Sequence, residues 1–156
     1  LAEAKGAVEL LLADCYVRRD QVALVAFRGT GAELLLPPTR SLTRARRCLA
    51  ALPGGGGTPL ATGLDVALEL AVQLERRGES VTLVLLTDGR PNIARGGEPG
   101  RARAGEDALD AARRLGARPL AALVVDTAPR PEPLAQRLAA EMRALYLPLP
   151  HADAAR

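Results

Sequence analysis

The sequence predicts an α/β fold: a mostly parallel sheet with one antiparallel edge strand pair and helices on both faces. Three observations carry this. Val81–Leu86 is an unbroken run of apolar and β-branched residues, the habit of a strand buried on both faces. Beyond residue 58, strand-like runs alternate with amphipathic helical patterns, which implies parallel pairing through right-handed crossovers. Gly29-Thr30-Gly31 separates two further strand-like runs by a connection too short for anything but an antiparallel pair.

Residues Leu1–Arg19 place Ala4, Val8, Leu11, Leu12 and Cys15 on one helical face. Gln21–Arg28 and Ala32–Leu36 read as the hairpin strands, the second stopped by Pro37-Pro38. Ser41 is a plausible N-cap for a helix to about Leu52, with Leu42, Ala45, Leu49 and Leu52 inward. Pro53 and four glycines end it. Thr58-Pro59 opens the next helix, since proline suits a first turn. That helix carries Leu60, Leu64, Ala67, Leu68, Ala71 and Leu74 on one stripe and stops at Gly78. After the Val81–Leu86 strand comes a loop over Asn92–Gly100, then a helix over Arg101–Leu115 with Ala104, Ala108, Ala112 and Leu115 inward. Pro119–Asp126 is the next buried strand. Pro129, Pro131 and Pro133 precede a helix with Leu134, Leu138 and Met142 inward, and Leu145–Leu149 is a short last strand.

The 156 residues form one domain over 1–150 with a tail at 151–156. The chain begins at Leu1 inside a helical pattern and is expected to be a piece of something longer. No run approaches the apolar length of a membrane span. Net charge is only +3, and the aromatic residues are Tyr16, Phe27 and Tyr146, too few for base stacking, so nucleic acid is not an expected partner. Cys15 and Cys48 show no paired spacing and read as reduced core thiols of a cytoplasmic protein. His151 is the only histidine, which argues against a histidine-based triad or zinc site.

Two stretches carry chemistry. Thr87-Asp88-Gly89 ends the central strand with a carboxylate at its carboxyl end, the edge where open α/β sheets bind ligands. Pro53–Pro59, PGGGGTP, is glycine-rich, but no lysine follows it and a helix rather than a strand precedes it. Both phosphate-binding fingerprints therefore fail. Thr58 and Asp88 each admit a bland reading as helix or turn caps. Asp126 ends the next strand and reads as a loop-capping carboxylate. Arg90, Arg95, Arg101 and Arg103 surround the loop after Asp88, either as a solvated charged loop or as a basic rim for an acidic partner.

Thr58 in GGGGTPL resembles the second metal-binding motif of von Willebrand factor A domains, and Asp88 in LLTDGR resembles the third. With a first motif, Asp-x-Ser-x-Ser, these residues would form a metal-ion-dependent adhesion site for Mg²⁺. Beyond the motifs, AEAKGAVELLLADCYVRRDQVALVAFRG, AELLLPPTRSL, LPGGGGTPLATGLD, VLLTDGRPN and YLPLPHADA resemble the carboxyl-terminal domain of magnesium chelatase D subunits, of the bacteriochlorophyll type.

The resemblance implies a Rossmann-like fold and a non-catalytic role in assembling the complex that inserts Mg²⁺ into protoporphyrin IX. It implies partners in the ATP-hydrolysing I subunit and in the H subunit, met by a loop of Gly56, Gly57, Gly89 and Arg90 around the metal. The departure is that Asp-x-Ser-x-Ser, and the first central strand that carries it in the family, are absent from this chain. With Thr58 and Asp88 alone, weak or no Mg²⁺ binding is expected. Two alternatives stay open: a von Willebrand A module of another AAA+ system, cobalt chelatase-like or MoxR-associated, and a metal-dependent hydrolase using Asp88 and Asp126 at a two-metal centre.

Overall fold

The structure, a computed structural model, describes residues 2–52 and 56–149. The side chain of Ala4, the Pro53–Gly55 segment, and the tail with His151 lie outside the described residues. Ten elements follow the expected order: α1 (Ala2–Arg18), β1 (Val22–Arg28), β2 (Gly31–Thr39), α2 (Leu42–Ala50), α3 (Leu60–Arg76), β3 (Thr82–Thr87), α4 (Arg101–Gly116), β4 (Ala121–Asp126), α5 (Pro133–Met142) and β5 (Leu145–Pro148).

The strands form two sheets. β1 and β2 make the antiparallel pair, turning at Arg28↔Gly31. β3, β4 and β5 lie side by side and parallel, with Leu85 opposite Val124 and Val124 opposite Tyr146. The helices α4 and α5 are the crossovers that parallel pairing demands. Among the described residues no pairing joins β1 or β2 to β3. Helix α3 spans the two sheets instead, packing on β1, β2 and α4.

Two expectations are corrected. Pro37-Pro38 do not end the second strand; β2 runs through them to Thr39. It is an edge strand with register shifts opposite Val22–Val25, and such places tolerate a residue without an N–H. Nor is the central strand buried on both faces. Leu85 and Thr87 are buried, while Leu83, Val84 and Leu86 are half-buried and Thr82 is exposed. A strand with an unpaired edge, whose packing residues all lie on one side, retains access to solvent along the other.

Two clusters hold the chain together. The larger joins Leu60, Leu64, Leu85, Leu109, Leu115, Val124, Leu138 and Met142, and packs α3, α4 and α5 on one face of the three-stranded sheet. Alanines at 104, 108, 111 and 112 let α4 approach closely. The smaller joins Leu12 of α1, Leu36 of β2, and Ala45 and Leu49 of α2. Ser41 caps α2 as expected, its Oγ accepting the Arg44 N–H at 3.1 Å. No described helix is long and apolar enough to cross a bilayer.

Candidate functional site

The carboxyl ends of the parallel strands present Thr87, Asp126 and Pro148 along one rim. Past Thr87 the chain makes a tight turn. Asp88 is exposed, and its Oδ1 accepts the Arg90 N–H at 3.0 Å; the Thr87 hydroxyl accepts the Gly89 N–H at 3.0 Å. Gly89 has φ +71°, a conformation that side-chain-bearing residues rarely adopt, and a Cβ there would strike Glu132. Asp88 is therefore held by its own turn and presented outward. Its capping of that turn does not consume both oxygens.

Thr58 sits just before α3, and the bland reading for it fails. The N-cap of α3 is Pro59, with no side-chain cap bond. Thr58 instead faces the loop after Asp88. Its N–H donates to Asn92 Oδ1 at 2.8 Å, and its carbonyl accepts the Asn92 N–H at 3.2 Å and the Ile93 N–H at 3.4 Å. Asn92 lies four residues past Asp88, so the glycine-rich loop and the Asp88 loop meet on the same rim. A third loop joins them: the Gly29 N–H donates to the Gly57 carbonyl at 3.1 Å. A Cβ on Gly57 would lie 2.6 Å from the Gly29 carbonyl oxygen and 2.7 Å from Ile93 Cγ1, so only glycine permits this approach. Gly56, with φ +84°, is exposed beside it.

Asp126 is a buried structural carboxylate, as the loop-capping reading has it. It has 0 % exposure. Oδ1 accepts the Ala128 N–H at 2.9 Å, and Oδ2 accepts the Glu132 N–H at 2.8 Å and the Tyr146 hydroxyl. Burial, and then this bond, raise the Tyr146 phenol above its ordinary value. Both oxygens of Asp126 are engaged by donors inside the protein while Asp88 is exposed, an arrangement that does not favour the pair as ligands of a two-metal centre. No cluster of three or more His, Cys, Asp or Glu side chains suited to a metal occurs among the described residues.

The arginines around the loop divide. Arg95 forms a paired hydrogen bond to Asp65 (2.7 and 3.1 Å) and another to Asp110 at 2.7 Å, while its N–H donates to Asp107. The bonds to Asp65 and then Asp110 hold its guanidinium above the ordinary arginine value; in return Arg95 lowers the Asp110 carboxyl. Arg103 pairs with Asp107 and Arg90 with Glu132. Arg95 is thus neither a solvated loop residue nor a rim charge for a partner. It is an anchor between α3 and α4. Asn92 had no assigned role in the sequence, since nothing about an Asn in a glycine- and proline-rich loop announces its partner 34 residues earlier.

A Thr hydroxyl and an exposed carboxylate are hard oxygen donors of the kind Mg²⁺ takes. Among the described residues the Thr58 hydroxyl enters none of the hydrogen bonds. The donor chemistry fits Mg²⁺; two protein ligands are few for a six-coordinate ion.

The family model for the von Willebrand factor type A domain matches residues 1–90. The chain is 58% identical over 99% of its length to the magnesium-chelatase 60 kDa subunit of Cereibacter sphaeroides, covering 28% of that protein. It is 42% identical over 99% of its length to the 67 kDa subunit of Chlorobaculum tepidum, covering 26%. It thus spans about a quarter of the length of these relatives. An uncharacterised protein of Methanocaldococcus jannaschii is 30% identical, with 81% of this chain and 71% of that one covered. In fold the chain resembles the SpRpn10 VWA domain (TM-score 0.69, 13% identity, 95% and 76% coverage). It also resembles BatB of Bacteroides thetaiotaomicron (TM-score 0.67, 19% identity, 99% and 82% coverage).

Proposed function

Because the chain belongs to the von Willebrand factor type A domain family, we propose that it is a binding module, without catalysis of its own, in a magnesium-chelatase-type complex. The observation that carries this reading is the meeting of the Thr58 and Asp88 loops on one rim, in a chain so similar to chelatase subunits. Thr58 and Asp88, together with oxygen ligands from outside the described residues, would hold Mg²⁺ there. A hard cation so bound supplies an open position for a carboxylate on another subunit. This ion is distinct from the Mg²⁺ that the complex delivers to its porphyrin substrate.

The chain's own residues do the presenting. The Asp88 turn keeps the carboxylate outward, and the clamp at Thr58 fixes the neighbouring loop. Arg90 and Gly89 stand next to Asp88 and would border the docked partner, with Gly56 and Gly57 on the other side. The partners under this proposal are the ATP-hydrolysing I subunit first and the porphyrin-binding H subunit second, in the cytoplasm.

The test uses the full-length protein as bait for purified I and H subunits, in Mg²⁺ and in EDTA. Capture of the I subunit should need Mg²⁺ and should fall with Asp88→Ala. The expected loss is at least the roughly tenfold that perturbing a metal site costs. Equal capture by parent and Asp88→Ala, with or without EDTA, would sink the reading.

A further inference from the structure

We infer that Asn92 is the positioning residue of this rim, holding the Thr58 hydroxyl in register with Asp88. The inference rests on the metal-dependent reading of the two residues, and it assigns the control of their relative placement to a third. Thr58 has two main-chain polar atoms, and Asn92 engages both: its Oδ1 accepts the Thr58 N–H and its own N–H donates to the Thr58 carbonyl. A pair of bonds fixes the rotation of the Thr58 main chain as well as its distance. The hydroxyl, the remaining polar group, is then aimed by the backbone that carries it.

Asn92 can do this because it is itself held from behind. Its carbonyl accepts the Gly100 N–H at 2.8 Å. Pro91 and Ala94 on either side are buried, and Ile93 fills the space that glycine leaves at position 57. Arg95, three residues on, is pinned to Asp65 of α3 and to Asp107 and Asp110 of α4. The loop that begins at Asp88 is thus fixed to both helices before it reaches Gly100. Without the side-chain bond, the Thr58 carbonyl is still held by the Asn92 and Ile93 N–H groups, but its N–H, on the side of the glycine run, loses its partner and the residue can rotate about the remaining contact.

The experiment titrates Mn²⁺, as a paramagnetic stand-in for Mg²⁺, into the full-length protein without nucleotide, following free Mn²⁺ by electron paramagnetic resonance. Asn92→Ala should weaken the Thr58-dependent Mn²⁺ site by about 10–100-fold, the range for loss of a residue that orients a ligand. Asn92→Asp keeps the acceptor oxygen and should bind as well as the parent or better. A loss with alanine and rescue with aspartate is not what a general loosening of the fold would give. Should the alanine variant fail to fold, Asn92→Ser, too short to reach Thr58, is expected to show the same loss. Parent-like binding by Asn92→Ala or Asn92→Ser, alongside loss in Thr58→Ala, would overturn the role of Asn92 and leave the metal site standing. Parent-like binding by Thr58→Ala and Asp88→Ala together would remove both.

Discussion

The two halves of this domain are held together differently. The hairpin β1–β2 is packed on both faces, with Val22 and Leu24 toward α1 and α2 and Phe27 toward α3, yet its own cluster has four fully buried members among the described residues. The three-stranded half has the far larger cluster, gathered on one face under α3, α4 and α5. Its other face carries Leu145 and Leu147, which are 76% and 47% exposed. Coverage and core size are therefore separate matters. The hairpin is covered but thinly cored, and the parallel sheet is strongly cored on one face. The candidate site sits on the seam, drawing Gly29 from one half, Asn92 from the other, and Gly57 and Thr58 from the lead-in to α3.

The largest expected effect breaks the stronger half. Leu64 is 2% exposed within the large cluster, and Leu64→Ala should cost about 2–5 kcal/mol in chemical denaturation. Leu49→Ala removes the same atoms from the small cluster, whose surround of half-buried side chains can close in; its cost should fall near ~2 kcal/mol. Hydrogen exchange sharpens the contrast. Leu49→Ala should speed exchange in α1, α2 and the hairpin only, whereas Leu64→Ala should speed it throughout. Identical exchange profiles for the two variants would mean that the halves open as one unit.

A smaller effect is expected at the seam. Gly63 of α3 faces Phe27 of β1, and a Cβ there would lie 2.5 Å from the ring. Phe27 is the hairpin's contribution to the large cluster. Gly63→Val should therefore push the hairpin away from α3 at a cost of about 2–3 kcal/mol, by overpacking. It should also loosen the Gly29–Gly57 contact at the rim. A melting temperature unchanged from the parent would show that the ring moves aside freely.

How far the sequence reveals these features follows from the range of the interactions. The helices were legible because their causes are local: the alanine stripe of α4 and the Ser41 cap lie within a few residues of what they determine. The hairpin was legible from its short turn, though not its passage through Pro37-Pro38, since tolerance for proline depends on what lies beyond the strand's edge. Continuous apolarity in Val81–Leu86 overstated burial because a run of residues cannot report whether both neighbours are present. At the rim, Thr58 and Asp88 stood out by residue type and position. Their connection through Asn92, and the anchoring of Arg95 by Asp65 and Asp110, are long-range bonds with no local pattern to mark them.

The smallest expected effect lies wholly within the three-stranded half, where the Tyr146 hydroxyl donates to buried Asp126 and ties β5 to the end of β4. Tyr146→Phe leaves Asp126 with two N–H donors and should cost about 1–2 kcal/mol at neutral pH. The pH dependence has a definite sign. The folded phenol titrates above its ordinary value near 10, first through burial and then through Asp126, so its contribution is complete below about pH 10 and is lost as pH rises through the raised folded value. Thermal melts from pH 8 to 11 should show the parent losing stability at the alkaline end while Tyr146→Phe is spared that loss, so the two converge. Parent and variant share every other group that ionises in this window, so the difference between them reports on Tyr146. A gap that stays constant to pH 11 would mean that the phenol does not feel Asp126. A gap that closes while exchange in the hairpin stays the same would place the whole effect in the parallel sheet.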